Sequence, residues 1–184
     1  MLRVTSGSAR GCRLNLVPGS GTRPIMDRVK QALFNILGTA IRDSVFLDVF
    51  AGTGSVGIEA LSRGAKQCTF LDSSPAAIST IHKNLVHTRL ADAAQVWRVD
   101  ALAFLRQTPT IRYDFIFVAP PQYQNIWLNT LQQLDAQPQW LAEHGSLIVQ
   151  IDPKERSVCQ LRHFTPVDEH RYGNTLLWFF EFLS

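Results

Sequence analysis

Residues able to bind and move a small group cluster in the middle of the chain. The segment LDVFAGTGSVG holds Gly52, Gly54 and Gly57 as G-x-G-x-x-G, with Asp72 20 residues after Gly52. Glycines at that spacing let backbone approach a ligand, and an acid at that distance can hold a ribose, as in a dinucleotide site. By itself the match is weak, because glycines also permit tight packing of a helix on a strand. Asp48 precedes the loop, giving D-x-x-x-G-x-G. A carboxylate there is poor company for a pyrophosphate but suits a cationic amino-acid moiety. Asp100, followed by Ala101, is a third acid, able to accept from an adenine amino group. Three acids around a glycine loop point to S-adenosylmethionine. Their competing structural roles are loop stabilisation for Asp48 and helix capping for Asp72 and Asp100.

The second chemical feature is IRYDFIFVAPPQY, residues 111–123. An apolar run stops abruptly at two prolines and an aromatic residue, as a buried strand does at the rim of a site. Ala119 stands where a polar group would act. Asp114 begins the run, about 16 Å back along an extended strand, and reads as a polar strand start.

The elements that must position these residues follow from periodicity. Helical spacing of Val29, Leu33, Phe34, Ile36 and Leu37 predicts a helix over 27–37, with Pro24 before it and Gly38 after it. Strands are predicted at 45–50, 68–72, 94–100, within DFIFVA, and at 145–152. Two more flank the turn at Arg171-Tyr172-Gly173. Helices fall between them, one opening at Ser74-Pro75 as cap and first residue and one near 124–134. This alternation predicts an α/β fold, a mostly parallel seven-stranded sheet covered by helices on both faces, with the last pair making it mixed. Each acid then lies at the end of a strand, where open sheets of this kind bind ligands.

Segment 2–16 reads as a small hairpin or irregular arm. Residues 1–30 hold Arg3, Arg10, Arg13, Arg23, Arg28 and Lys30 against Asp27, a balance of +5, while the rest holds 12 basic and 14 acidic residues, −2. Basic charge on one segment suits phosphate-backbone contact; the alternative is a solvated arm. Residues 1–22 are expected to form this arm and 23–184 one domain. With no apolar leader and no membrane-length apolar run, a cytoplasmic protein without membrane contact is expected. Cys12, Cys68 and Cys159 lack metal-ligand spacing and read as free thiols, so no metal is expected. The five histidines form no spaced cluster, and Trp97, Trp127, Trp140 and Trp178 read as packing residues.

The chain resembles the bacterial 16S ribosomal RNA guanine-N2 methyltransferases nearly end to end. The resemblance is carried by RVTSGSARG, TRPIMDRVKQALFNIL, LDVFAGTGSVGIEALSRGA, VDALAFL, YDFIFVAPPQY and RYGNTLL. It implies a Rossmann-like class I methyltransferase that moves a methyl group from S-adenosylmethionine to N2 of a guanine in 16S ribosomal RNA. The substrate would be RNA within a small-subunit particle, and the protein a monomer. It implies cofactor contacts at Thr22, Arg23, Asp48, Phe50, Ala51, Gly52, Thr53, Gly54, Asp72, Ser73, Asp100 and Ala101. RNA contacts are implied at Arg3, Arg10, Arg13 and Arg28, and a catalytic loop at Ala119, Pro120, Pro121, Gln122 and Tyr123. The family's signature there is Asp or Asn, Pro, Pro, then Tyr or Phe. In this chain the side-chain acceptor is missing and the aromatic residue falls one place late. Losing one pre-organised group costs on the order of 10²–10³ in rate. Gln122, the Pro120 carbonyl and a re-routed Tyr123 are the available compensations. The alternatives are a catalytically impaired homologue that still binds cofactor and RNA and, ranked below it, a nicotinamide-dependent oxidoreductase, against which Asp48 argues.

Overall fold

A computed structural model describes residues 2–19 and 25–183. Seven strands form one sheet: β1 (Val45–Asp48), β2 (Gln67–Asp72), β3 (Ala94–Arg98), β4 (Tyr113–Val118), β5 (Leu141–Ile151), β6 (Phe164–Tyr172) and β7 (Thr175–Phe182), in the order β3-β2-β1-β4-β5-β7-β6. Every neighbouring pair is parallel except β5–β7 and β6–β7, because β6 and β7 form the C-terminal hairpin. Helices α1 (Asp27–Leu37), α2 (Ser55–Ser62), α3 (Pro75–Thr88), α4 (Ala101–Leu105) and α5 (Ile126–Ala136) cover the two faces.

Side-chain alternation along the strands divides the core in two. Phe46, Phe70, Phe115 and Phe117 face α1, α2 and α3, meeting Val29, Leu33, Phe34, Ile58, Ile81 and Leu85. Leu47, Leu71, Ile116 and Val118 face α4 and α5, meeting Leu105, Trp127, Leu131 and Leu134. Central strands covered on both faces need no polar side, and β4 accordingly reads as an almost unbroken apolar run. No helix among the described residues is long and apolar enough to cross a membrane.

The predicted boundaries move where backbone geometry intervenes. β1 stops at Asp48 because residues 49–54 turn into α2. β5 begins at Leu141, with a register irregularity opposite Tyr113 and Phe115. Gly145 makes this possible: a Cβ there would stand 2.8 Å from the Asp114 carbonyl oxygen. Trp127, Trp140 and Trp178 are buried, but Trp97 is 54% exposed on the edge strand β3, which corrects its reading as a packing residue.

The N-terminal segment folds as a small antiparallel hairpin. Arg3 faces Arg13, and the Val4 N–H donates to the Cys12 carbonyl at 2.9 Å. Its Leu2, Val4, Ala9 and Leu14 join the core on the α1–α3 face. The tie to α2 is polar. Glu59, wholly buried, accepts from the Thr5 and Ser6 backbone N–H groups at 2.8 and 3.0 Å and from Arg63 Nε at 2.9 Å. Lys30 Nζ lies 3.4 Å from the same carboxylate and donates to the Arg3 carbonyl at 2.6 Å. Burial pulls the Lys30 ammonium below its ordinary pKa, while Glu59 opposes that shift. Lys30 is 0% exposed, so it must be removed from the basic surface that the charge count assigned to this segment.

Replacing one partner of a buried ion pair leaves the other uncompensated, at a cost of about 3–5 kcal/mol. Glu59→Ala is therefore expected to lower unfolding stability by about that amount in urea titrations. A loss below about 1 kcal/mol, the size for an exposed pair, would contradict the hub assigned to Glu59.

Candidate active site

The β1 and β4 strands are parallel neighbours, with Asp48 in register with Phe117. The Val49 N–H donates to the Phe117 carbonyl at 3.0 Å, so the two chains leave the sheet side by side. One continues into the glycine loop, the other into Ala119-Pro120-Pro121-Gln122-Tyr123. The strand order reverses here, since β2 and β3 lie on one side of β1 and β4 and β5 on the other. A crevice outside the carboxyl ends of the strands at such a point is where doubly wound sheets bind ligands.

The glycine loop is shaped by hydrogen bonds that its N–H groups donate to two of the predicted acids. Gly52 and Gly54 have φ of +55° and +75°, the left-handed region that favours glycine. Nothing lies within 4 Å of a Cβ built on Gly52, which leaves open space on that side of the loop. Asp72 accepts from the Gly52 N–H through Oδ2 and from the Ser74 N–H through Oδ1, both at 2.8 Å. It thus ties the end of β2 to the loop after β1. Gly57 serves packing: a Cβ there would stand 2.3 Å from the Phe70 ring and 2.6 Å from Cys68 Sγ.

Asp48 lies beneath the loop, 2% exposed, with Oδ2 accepting from the Gly57 N–H at 3.1 Å. Burial pushes its carboxyl from the ordinary 3.8 up to about 7; the Gly57 N–H opposes the shift and the Asp72 charge adds to it. Asp100 is exposed at the end of the β3 segment, capping α4 by accepting from the Ala103 N–H at 2.8 Å. The loop-stabilising role weighed for Asp48 and the capping role weighed for Asp100 are therefore present, but Asp72 does not cap α3, which Ser74 caps by accepting from the Ala77 N–H; Asp72 steadies the glycine loop instead.

Of the other expected cofactor contacts, Ala51, Thr53, Gly54 and Ala101 are buried, Phe50 and Gly52 half-buried, and Ser73 exposed. Thr22 and Arg23 lie outside the described residues. Arg10, Arg13 and Arg28 are exposed, and Arg3 is exposed with Nε 3.4 Å from an Asp27 carboxylate oxygen. Asp114 sits at the far end of β4 and accepts from the Val45 N–H at 2.7 Å.

In the second loop Ala119 is half-buried against the α1–α3 core, Pro120 is buried, and Pro121, Gln122 and Tyr123 are exposed. Sequence reading missed three residues that shape this crevice. Asn84, wholly buried on α3, donates to the Thr53 carbonyl at 2.9 Å and to the Asn15 carbonyl at 3.1 Å, and accepts from the Asn15 N–H at 2.8 Å. It joins the glycine loop to the segment that follows the N-terminal hairpin. Its signal was a polar residue between Ile81 and Leu85 on the buried face of a helix. Asp152 and Glu155, after β5, contact Tyr123. Their only signal was an Asp-Pro pair at a strand end.

This sheet order and paired loops define an α/β Rossmann-like protein of the class I methyltransferase type. The chain belongs to the family described as Conserved hypothetical protein 95, whose model matches residues 2–181. The ribosomal RNA small subunit methyltransferase D of Haemophilus influenzae is 33% identical over 94% of this chain and 89% of its own length. The solved structure of yhhF from Escherichia coli has a TM-score of 0.87 at 31% identity, covering 98% of this chain and 97% of that one. An RNA methyltransferase from Salinibacter ruber, solved with S-adenosyl-L-homocysteine, shares the fold at 12% identity and a TM-score of 0.65, over 85% of this chain and 92% of that one.

The raised Asp48 pKa has a definite sign for stability. The folded state holds this proton more tightly than the unfolded chain, so the contribution is fully present below 3.8 and is lost as pH rises through about 7. The loss amounts to at most about 4 kcal/mol. Asp48→Asn keeps an acceptor for Gly57 and removes the titration. Urea unfolding across pH should show wild type losing stability relative to this variant over that window; a pH-independent difference would contradict the buried, proton-binding carboxyl.

Proposed function

We propose that the protein transfers a methyl group from S-adenosylmethionine to the exocyclic N2 of a guanine in small-subunit ribosomal RNA. The observation that carries this reading is the pairing of β1 with β4, which sets a glycine loop ringed by acids beside a Pro-Pro loop at the switch point. The name of the Haemophilus relative supports the RNA class, and the ligand in the Salinibacter structure supports the cofactor.

The residues fit the cofactor. Gly52 leaves open space beside the loop, the half-buried Asp72 carboxylate suits ribose hydroxyls through its remaining lone pairs, and the exposed Asp100 suits an adenine amino group. Asp48 lies below the loop, and although burial raises its carboxyl to about 7, a cation at the methionine end favours its ionised form. When bound, S-adenosylmethionine supplies an electrophilic methyl group. The work of the chain is to aim a weak nucleophile at it, because the guanine amine delocalises its lone pair into the ring. The Pro120 carbonyl is the acceptor that survives the loss of an acid at 119, and proline fixes the backbone there without donating a hydrogen bond. Gln122, exposed and unpaired among the described residues, adds an amide oxygen. Tyr123 offers a stacking face, worth about 1–3 kcal/mol in comparable contacts. Catalysis of this kind is mostly positioning. Arg3, Arg10, Arg13 and Arg28 supply cationic contacts for RNA phosphates, and residues 1–22 act as an arm on the domain 23–184.

Ala119 favours a second reading, a homologue that binds both ligands but is impaired in transfer. Purified protein incubated with labelled donor and undermodified small ribosomal subunits distinguishes the two. The proposed enzyme incorporates label, and Ala119→Asp changes kcat by less than about tenfold; a gain on the order of 10²–10³ supports the impaired site. No incorporation by wild type, with donor still bound, rejects the catalytic reading. In a separate thermal-shift comparison, S-adenosylmethionine raises Tm and NAD does not; the reverse supports the oxidoreductase.

A further inference from the structure

Tyr123 is fastened at both ends. Its backbone N–H donates to Glu155 Oε1 and its hydroxyl donates to Asp152 Oδ2, each at 2.7 Å. Between these anchors the residue is 66% exposed, with φ at +63°, a conformation rare for a side-chain-bearing residue. The anchors come from another element. Asp152 and Glu155 belong to the turn after β5, the strand next to β4 in the sheet. Asp152 is 7% exposed, and its second oxygen accepts from the Lys154 N–H at 2.9 Å, so its carboxylate cannot swing freely.

The protonation states suit a lasting tether. The Lys154 N–H and then the Tyr123 hydroxyl hold the Asp152 carboxyl below its ordinary range, and the bond to Asp152 holds the Tyr123 phenol above its own. Around neutral pH the hydroxyl donates and the carboxylate accepts. An aromatic ring fixed at its tip and at its backbone has a defined plane while its faces stay open. Holding a group in its bound orientation before the partner arrives reduces the ordering cost of binding.

We propose that Asp152 and Glu155 are positioning residues that set the plane of the Tyr123 ring as the platform on which the target base stacks. This rests on the methyltransferase reading above and adds to it a device on the β5 turn. The left-handed backbone at Tyr123 is then the geometry needed to bring the ring, one residue past the position next to Pro121, back over the site. Asp152 and Glu155 act through Tyr123 and touch neither donor nor base.

Two substitutions remove the same hydrogen bond from opposite sides. Tyr123→Phe and Asp152→Ala are each expected to raise KM for undermodified small ribosomal subunits about tenfold and to leave the Kd for S-adenosylmethionine unchanged; Tyr123→Phe also leaves the Tm unchanged, while Asp152→Ala lowers it slightly through loss of the bond from the Lys154 N–H. The double variant should match Asp152→Ala, since Tyr123→Phe removes no interaction that Asp152→Ala leaves in place, whereas Asp152→Ala also frees the Lys154 N–H. Asp152→Asn retains an acceptor and should restore most of the lost affinity. Filter retention of the same subunits reads the effect without turnover. If wild type binds subunits tightly and Tyr123→Phe binds about tenfold weaker while no methyl group is transferred, the platform stands as a binding device and the catalytic reading fails. Singles with wild-type KM, additive effects in the double variant, or losses in Tm or cofactor affinity that match the loss of activity would overturn the proposal.

Discussion

The parallel pairing of β1 with β4 is the constraint on which the site depends. It is a short ladder, Phe46–Asp48 against Phe115–Phe117, extended by the bond from the Val49 N–H to the Phe117 carbonyl. Every candidate cofactor group on one side and every candidate catalytic group on the other is placed relative to it. Its rigidity comes from the apolar side chains that leave each strand on both faces, so the ladder is clamped between two packed cores. Loops on such a scaffold can carry strained backbone, and the Pro-Pro loop does: Tyr123 and Asn125 have positive φ without being glycine.

Buried polar side chains make the second level of organisation. Asp48 and Asp72 fix the glycine loop from below and from the side, and Asn84 spends its amide on the same loop and on Asn15. Glu59 does the corresponding work at the other end of α2, where the hairpin docks. The cofactor loop and the N-terminal hairpin thus share one short helix as a common mount. Satisfied networks of this kind specify geometry, whereas a single missing partner would be costly.

Much of this was legible in the sequence, for identifiable reasons. The glycine loop, the acids at strand ends and the abrupt stop at Pro120 are local patterns, and their chemistry depends on spacing along the chain. The α1 boundaries followed from the recurrence of Val29, Leu33, Phe34 and Leu37. The misses were long-range. Lys30 looked like one more cation of a basic arm, because its partner Glu59 lies on another helix. Asn84 stood out only as a polar residue on the buried face of a helix, because its partners Thr53 and Asn15 lie on distant segments. Nothing near Tyr123 announced that Asp152 would take its hydroxyl, 29 residues away. Trp97 went the other way, exposed because β3 is an edge strand.

The central claim is that the two loops form one site, with the donor held by the β1 side and the acceptor by the β4 side. A crystal structure with S-adenosyl-L-homocysteine tests it most directly. The ligand is expected along the open side of Gly52, with its ribose at Asp72, its adenine near Asp100 and its sulfur facing Ala119 and Pro120. A ligand bound elsewhere, or one whose sulfur turns away from the Pro-Pro loop, would contradict it.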